Sequence, residues 1–83
     1  MTYEVVLSMD AVEDVERITM GSGSKSEVVA ASKQIQETLR ADPSGAGEHL
    51  SEGLYFVDRG PLRAFFTIDV DEMLVEIVNV KEV

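Results

Sequence analysis

The side chains in this sequence that could do chemistry lie mainly in its second half. His49 is the only histidine, and imidazole is the group whose ordinary pKa suits general acid or base work near neutral pH. It stands in "ADPSGAGEHLSEG" between Glu48 and Glu52, carboxylates that raise an imidazole pKa and also repel phosphate. Arg63 stands in "RGPLRAFFTIDVDEMLVEIVNV", a run that otherwise reads as a buried β-hairpin. Two readings are open for it: a member of a site, or a solvent-facing strand residue paired with Glu76 across the hairpin. Arg59 lies in the preceding turn, where it could help hold a backbone phosphate or simply be solvated, and Lys81 follows the last apolar run. Tyr55 is placed either to stack on a base or to pack as half-buried core. Two other stretches read as ordinary turns. "GSGS" at residues 21–24 precedes a helix start, a place that suits anions, but it lacks the Gly-Lys-Ser/Thr of a P-loop. "DVDE" has no EF-hand spacing. With no cysteine, neither a disulfide framework nor a thiolate metal site can form, and no cofactor or metal is expected.

The elements that must position these residues can be read from periodicity. In "YEVVLS", Tyr3, Val5 and Leu7 alternate with Glu4 and Val6, a short strand. "SMDAVEDVERI" opens a helix with Ser8 or Asp10 as N-cap, its apolar residues Ala11, Val12, Val15 and Ile18 at helical spacing. The two glycines of "TMGSGS" end it. Ser24 and Glu27 form a capping-box pattern, and Val28, Ala31, Ile35 and Leu39 mark one face of a second helix. "ADPSGAGEHLSEG" reads as a loop, since Asp-Pro stops a helix and glycines follow. "LYFVD", "LRAFFTI" and "MLVEIVNV" read as three strands joined by the turns "RGP" and "DVDE". Leu62, Ala64, Phe66 and Ile68 fall on one face of the middle strand, with Arg63, Phe65 and Thr67 on the other. The order β-α-α-β-β-β predicts an α+β domain: a small antiparallel sheet with two helices packed on one face and the other face partly free.

Eighty-three residues make a single domain, 1–83. Sixteen acidic residues against seven basic give a formal net charge of −9, so DNA or RNA would be repelled at long range. There is no basic, apolar leader and no run of membrane-spanning length, so the expected setting is soluble and cytoplasmic, with no membrane contact. "MLVEIVNV" is apolar on both faces over most of its length. Such a strand is interior or covered by a partner, and a homodimer or a second protein would serve.

The whole chain resembles the RelE/ParE superfamily, the toxins of type II toxin–antitoxin modules. The resemblance rests on the short first strand, the Ser-x-x-Ala-x-x-Asp helix start "SMDAVED", the long second helix and the hairpin "GLYFVDRGPLRAFFTID…LVEIVNV". It implies the fold above and a cognate antitoxin as partner. RelE-like members cut ribosome-bound mRNA without a metal: the 2′-hydroxyl attacks the adjacent phosphate while basic residues on the sheet orient the backbone. ParE-like members poison gyrase. Arg63 matches the strand arginine that binds phosphate and steadies developing charge, a role that suits a planar fork. Arg59 would assist on phosphate, Lys81 matches a basic position after the last strand, and His49 would move the proton. The chain departs from the nuclease pattern in two places. "GLYFVD" carries no lysine, and "KEV" brings no tyrosine or further basic tail. The resemblance therefore implies a toxin-family protein with degenerate or weak nuclease chemistry that acts through protein binding. An active ribosome-dependent mRNA endoribonuclease and a gyrase-directed toxin are the alternatives.

Overall fold

The computed structural model describes residues 2–83. They run β1 (Glu4–Leu7), α1 (Met9–Gly21), α2 (Lys25–Ala41), α3 (Pro43–Ala46), β2 (Glu48–Ser51), β3 (Leu54–Arg59), β4 (Leu62–Asp69) and β5 (Leu74–Glu82). The five strands form one sheet in the order β1-β5-β4-β3-β2. The α+β class and the helix-on-sheet arrangement are as the periodicity predicts. The sheet is antiparallel from β2 through β5, and β1 joins β5 in parallel.

One face of the sheet carries the core. Val57 of β3, Leu62, Ala64 and Phe66 of β4, and Val75, Ile77 and Val80 of β5 are buried there. They meet Ala11 and Ile18 of α1 and Val28, Ala31, Ile35 and Leu39 of α2. The α2 residues fall at i, i+3, i+7 and i+11, one stripe of a 3.6-residue helix. Tyr3, Val5 and Leu7, the alternating set of β1, pack at the margin of this cluster. Phe66 is fully buried, and burying an aromatic of this size contributes on the order of 2–3 kcal/mol.

The sheet is longer than the sequence predicts. Glu48–Ser51, expected as loop, forms β2 with all four residues exposed. No hydrophobic alternation marks it; it exists because Ser51 pairs with Leu54 across the turn Glu52–Gly53, where Gly53 takes φ +75°. Gly47 lets the chain enter β2 directly over the Phe66 ring, where a Cβ would collide with the ring edge. The capping box at Ser24 does not form. The Ser24 side chain makes no cap hydrogen bond, and its own backbone N–H donates to Ser22 Oγ at 3.0 Å.

β5 is interior in the strand order, flanked by β1 and β4, and buries Val75, Ile77 and Val80 on the core face while Glu76, Asn79 and Lys81 are exposed. Its run also contains a bulge: Phe65 opposes Asn79 and Phe66 opposes Ile77, leaving Val78 without a partner on β4. β1 covers only the first part of β5, from Leu74 to Ile77. Beyond that point the chain turns into α1, which seals the remaining edge. Ser8 Oγ donates to the Val78 carbonyl at 2.8 Å and accepts from Ala11 N–H at 3.1 Å, so it both caps α1 and closes the strand. Asp14, one and a half turns on, accepts from Val80 N–H at 2.9 Å and from Asn79 Nδ2 at 3.3 Å.

Candidate functional site on the open sheet face

Parity along the strands decides which of the chemistry-bearing residues meet. In antiparallel pairing, directly opposed residues share a face. Asp58 opposes Arg63, and Arg63 opposes Lys81, so these three make one row across β3, β4 and β5. The next row on the same face is Glu48, Phe56, Phe65 and Asn79. This is the face away from the core. Together with the Asp14–Arg17 side of α1 it bounds a depression of about 450 Å³ lined by Leu50, Leu54, Phe65, Val78 and Lys81.

Arg63 is engaged on two sides. Its Nε donates to Asp58 Oδ1 at 2.7 Å and its Nη2 to Oδ2 at 2.9 Å, a bidentate fork on one carboxylate. Its guanidinium carbon lies 4.5 Å from the centroid of the Phe56 ring. The fork holds the Asp58 carboxyl below its usual range and raises Arg63 further, with Glu48 adding to the second effect. Glu76, the carboxylate expected to pair with Arg63, instead opposes Thr67, four residues along β4. Two registers explain the exchange: Asp69 opposes Leu74 at the β4–β5 turn, which carries Glu76 to Thr67, and the β3–β4 turn supplies Asp58. Gly60 and Pro61 form a two-residue turn, with Gly60 at φ +52°, so Arg59 opposes Leu62 and Asp58 must oppose Arg63.

Lys81 lies on the other side of Arg63 and makes no ion pair among the described residues. The row therefore carries one negative and two positive charges. Arg17 on α1 contributes a further cation at the rim, paired with Asp14 at 2.7 Å. Asp14 itself is held below the usual carboxylate range, chiefly by the Val80 N–H and then by Arg17 and Asn79.

The other two sequence candidates are elsewhere. His49 opposes Tyr55, which opposes Phe66. The three rings form a ladder, His49 edge-on to Tyr55 at 5.2 Å and Tyr55 stacked on Phe66 at 5.7 Å. That ladder starts from a buried core residue, so His49 is on the opposite face from Arg63 and Lys81. Tyr55 takes the half-buried packing role. Arg59 is one residue from Asp58 and so also on the opposite face; its Nη1 donates to the Asp58 carbonyl at 2.6 Å. The structure thus brings Arg63 and Lys81 together and separates both from His49 and Arg59. Asp58, the closest partner of Arg63, was not a sequence candidate. Among the described residues, no cluster of three or more His, Cys, Asp or Glu residues could hold a metal ion. No described helix is long and apolar enough to cross a membrane.

No protein-family model matches the chain, and no curated protein matches it. Solved structures do. The RelBE2 toxin–antitoxin complex from Mycobacterium tuberculosis matches with a TM-score of 0.84 at 22% identity, over 100% of both chains. A double mutant of the E. coli toxin RelE in the free state matches with a TM-score of 0.73 at 13% identity, over 99% of this chain and 84% of that one. The chromosomal ParDE system of P. aeruginosa matches with a TM-score of 0.68 at 18% identity, over 98% and 96%. These likenesses span both branches of one superfamily and cover essentially the whole chain, so this protein has the fold of the RelE/ParE toxins.

Proposed function

We propose that this chain is the toxin-type component of a type II toxin–antitoxin module, that it works through protein binding at the open sheet face, and that its nuclease chemistry is degenerate or weak. The observation that carries the reading is the closed fork between Arg63 and Asp58. An arginine already bidentate on a carboxylate has its best donor pair occupied, so it is poorly disposed to grip a phosphate. His49, the one histidine, is across the sheet from it. The net charge of −9 opposes the approach of RNA. The partner proposed is a cognate antitoxin chain, as in the RelBE2 complex that this fold resembles. The place of action proposed is the cytoplasm.

One observation favours a second reading. Arg63 and Lys81 are neighbours on one exposed row, which is the placement a ribosome-dependent mRNA endoribonuclease would need for two phosphate contacts. Inducible expression in bacteria separates the two, comparing the natural chain with Arg63→Ala and reading growth and mapped mRNA 5′ ends. The proposal expects no new A-site cleavage in either strain. Cleavage by the natural chain that disappears in Arg63→Ala would replace it with the nuclease reading, and growth arrest without cleavage would point to gyrase or another protein target.

A further inference from the structure

We propose that Asp58 is the specificity-determining residue of the open face: it occupies the Arg63 fork and thereby excludes nucleic-acid phosphate from a row that would otherwise bind it. The inference rests on the reading above that this face is the working one.

The geometry makes the competition direct. A phosphate diester and a carboxylate present the same pair of oxygens to a guanidinium, so a single fork can serve only one of them. Asp58 is held opposite Arg63 by strand pairing rather than by a mobile loop, so its carboxylate is always at hand. Both side chains remain accessible, Arg63 at 37% and Asp58 at 45% of their full exposure. The site is therefore open to a ligand from solvent, and only the carboxylate stands between that ligand and the fork. Phe56 beneath the guanidinium keeps the fork in place whichever anion fills it. Removing the Asp58 charge changes the row Asp58–Arg63–Lys81 from a net of one positive charge to two positive charges on directly opposed residues, whose Cβ atoms are typically about 5 Å apart. Phe65 lies one row away, with its ring 6.4 Å from that of Phe56, and offers an aromatic surface on which a base can stack.

The test measures binding of a short fluorescein-labelled single-stranded RNA to the purified full chain by fluorescence anisotropy across about 50 to 200 mM salt. The set comprises the natural chain, Asp58→Asn, Asp58→Thr, and Asp58→Asn combined with Arg63→Gln. Glu37→Gln, on the exposed side of α2, controls for the change in net charge. Threonine is the second substitution because it is a good strand residue, so a folding defect peculiar to asparagine is recognised. Both Asp58 variants are expected to bind roughly fivefold more tightly at the low-salt end, the worth of one close charge pair in water. The slope of log affinity against log salt is expected to steepen by about 0.7, one added phosphate contact on a single strand. The Arg63→Gln combination should return both quantities to the natural values, and Glu37→Gln should leave them unchanged. Equal binding by the natural chain and both Asp58 variants would overturn the proposal, as would a gain that persists without Arg63 or that Glu37→Gln reproduces. RNA cleavage by the natural chain in cells would sink the protein-binding reading by itself and would leave these isotherms to decide the role of Asp58.

Discussion

The edge of β5 beyond β1 gives the sharpest stability prediction, because one side chain carries it. Asp14 accepts the Val80 N–H at 2.9 Å, and its side chain is only 14% exposed. Val80 is buried, at 5% exposure, so its N–H has little water to turn to if the carboxylate is lost. A hydrogen bond to a charged acceptor contributes about 1.5–3 kcal/mol, and an unpaired buried N–H costs about 1–3 kcal/mol. These describe the same loss from two sides, so Asp14→Ala should destabilise the chain by about 2–3 kcal/mol. For a domain of this size that lowers Tm by roughly 8–24 °C. Asp14→Asn keeps an acceptor oxygen but not the charge and should cost about half as much. Arg17, the exposed partner at i+3, contributes little: Arg17→Ala should cost under about 0.5 kcal/mol. The folded-state pKa of Asp14 lies below its ordinary 3.8. Its contribution is therefore complete above that value and fades as pH falls through the folded pKa. Urea unfolding at neutral pH measures the three variants, and repeating it below about pH 4 should narrow the gap between the natural chain and Asp14→Asn. The reasoning fails if Asp14→Ala unfolds at the natural urea midpoint, or if Arg17→Ala is as damaging as Asp14→Ala.

Other perturbations test the remaining parts of the fold. Phe66→Ala should cost about 3–5 kcal/mol in urea unfolding, because the ring is fully buried between sheet and helices. Gly47→Ala should cost about 1–3 kcal/mol, since the added Cβ meets that same ring; a neutral result would show that β2 can lift away freely. Met73 sits at φ +52° in the β4–β5 turn, so Met73→Gly should stabilise by up to about 1 kcal/mol through relief of a left-handed conformation. Asp58→Asn should change stability by less than about 1 kcal/mol, because its ion pair is well exposed; a larger loss in thermal unfolding would make the fork a structural strut.

What the sequence reveals depends on how strongly burial writes a pattern. The α2 stripe of Val28, Ala31, Ile35 and Leu39 and the alternation of β4 were legible because each has one face in the core. The spacing Ser8, Ala11, Asp14 was visible as a motif, and the structure supplies its reason: three positions on one side of α1 cap the helix, fill the core and seal the β5 edge. β2 was not legible because every residue in it is exposed, so only pairing with β3 holds it extended. Missing β2 also hid the fate of His49. Once it lies in a strand opposite Tyr55, parity sends it to the face away from Arg63. Asp58 could have been found. A two-residue turn at Gly60–Pro61 makes the numbers of opposed residues sum to 121, which pairs Asp58 with Arg63, while the separate β4–β5 register carries Glu76 to Thr67.

The two faces of this sheet answer to different constraints. Every buried hydrophobic on β3, β4 and β5 belongs to the core face, and α1 closes the exposed edge of β5 with Ser8 and Asp14. The open face holds Asp58, Arg63 and Lys81, all partly or wholly exposed, and the ion pair between the first two adds little to stability. Substituting one of these three residues therefore costs the fold almost nothing, whereas substituting Phe66 or Asp14 costs a sizeable share of a marginal stability. On the proposed reading, the single carboxylate opposite Arg63 sets which anion the row accepts, and exchanging it leaves the scaffold intact. Likeness of fold at 13–22% identity is compatible with such a division, in which the core face holds the fold and the exposed row is free to change.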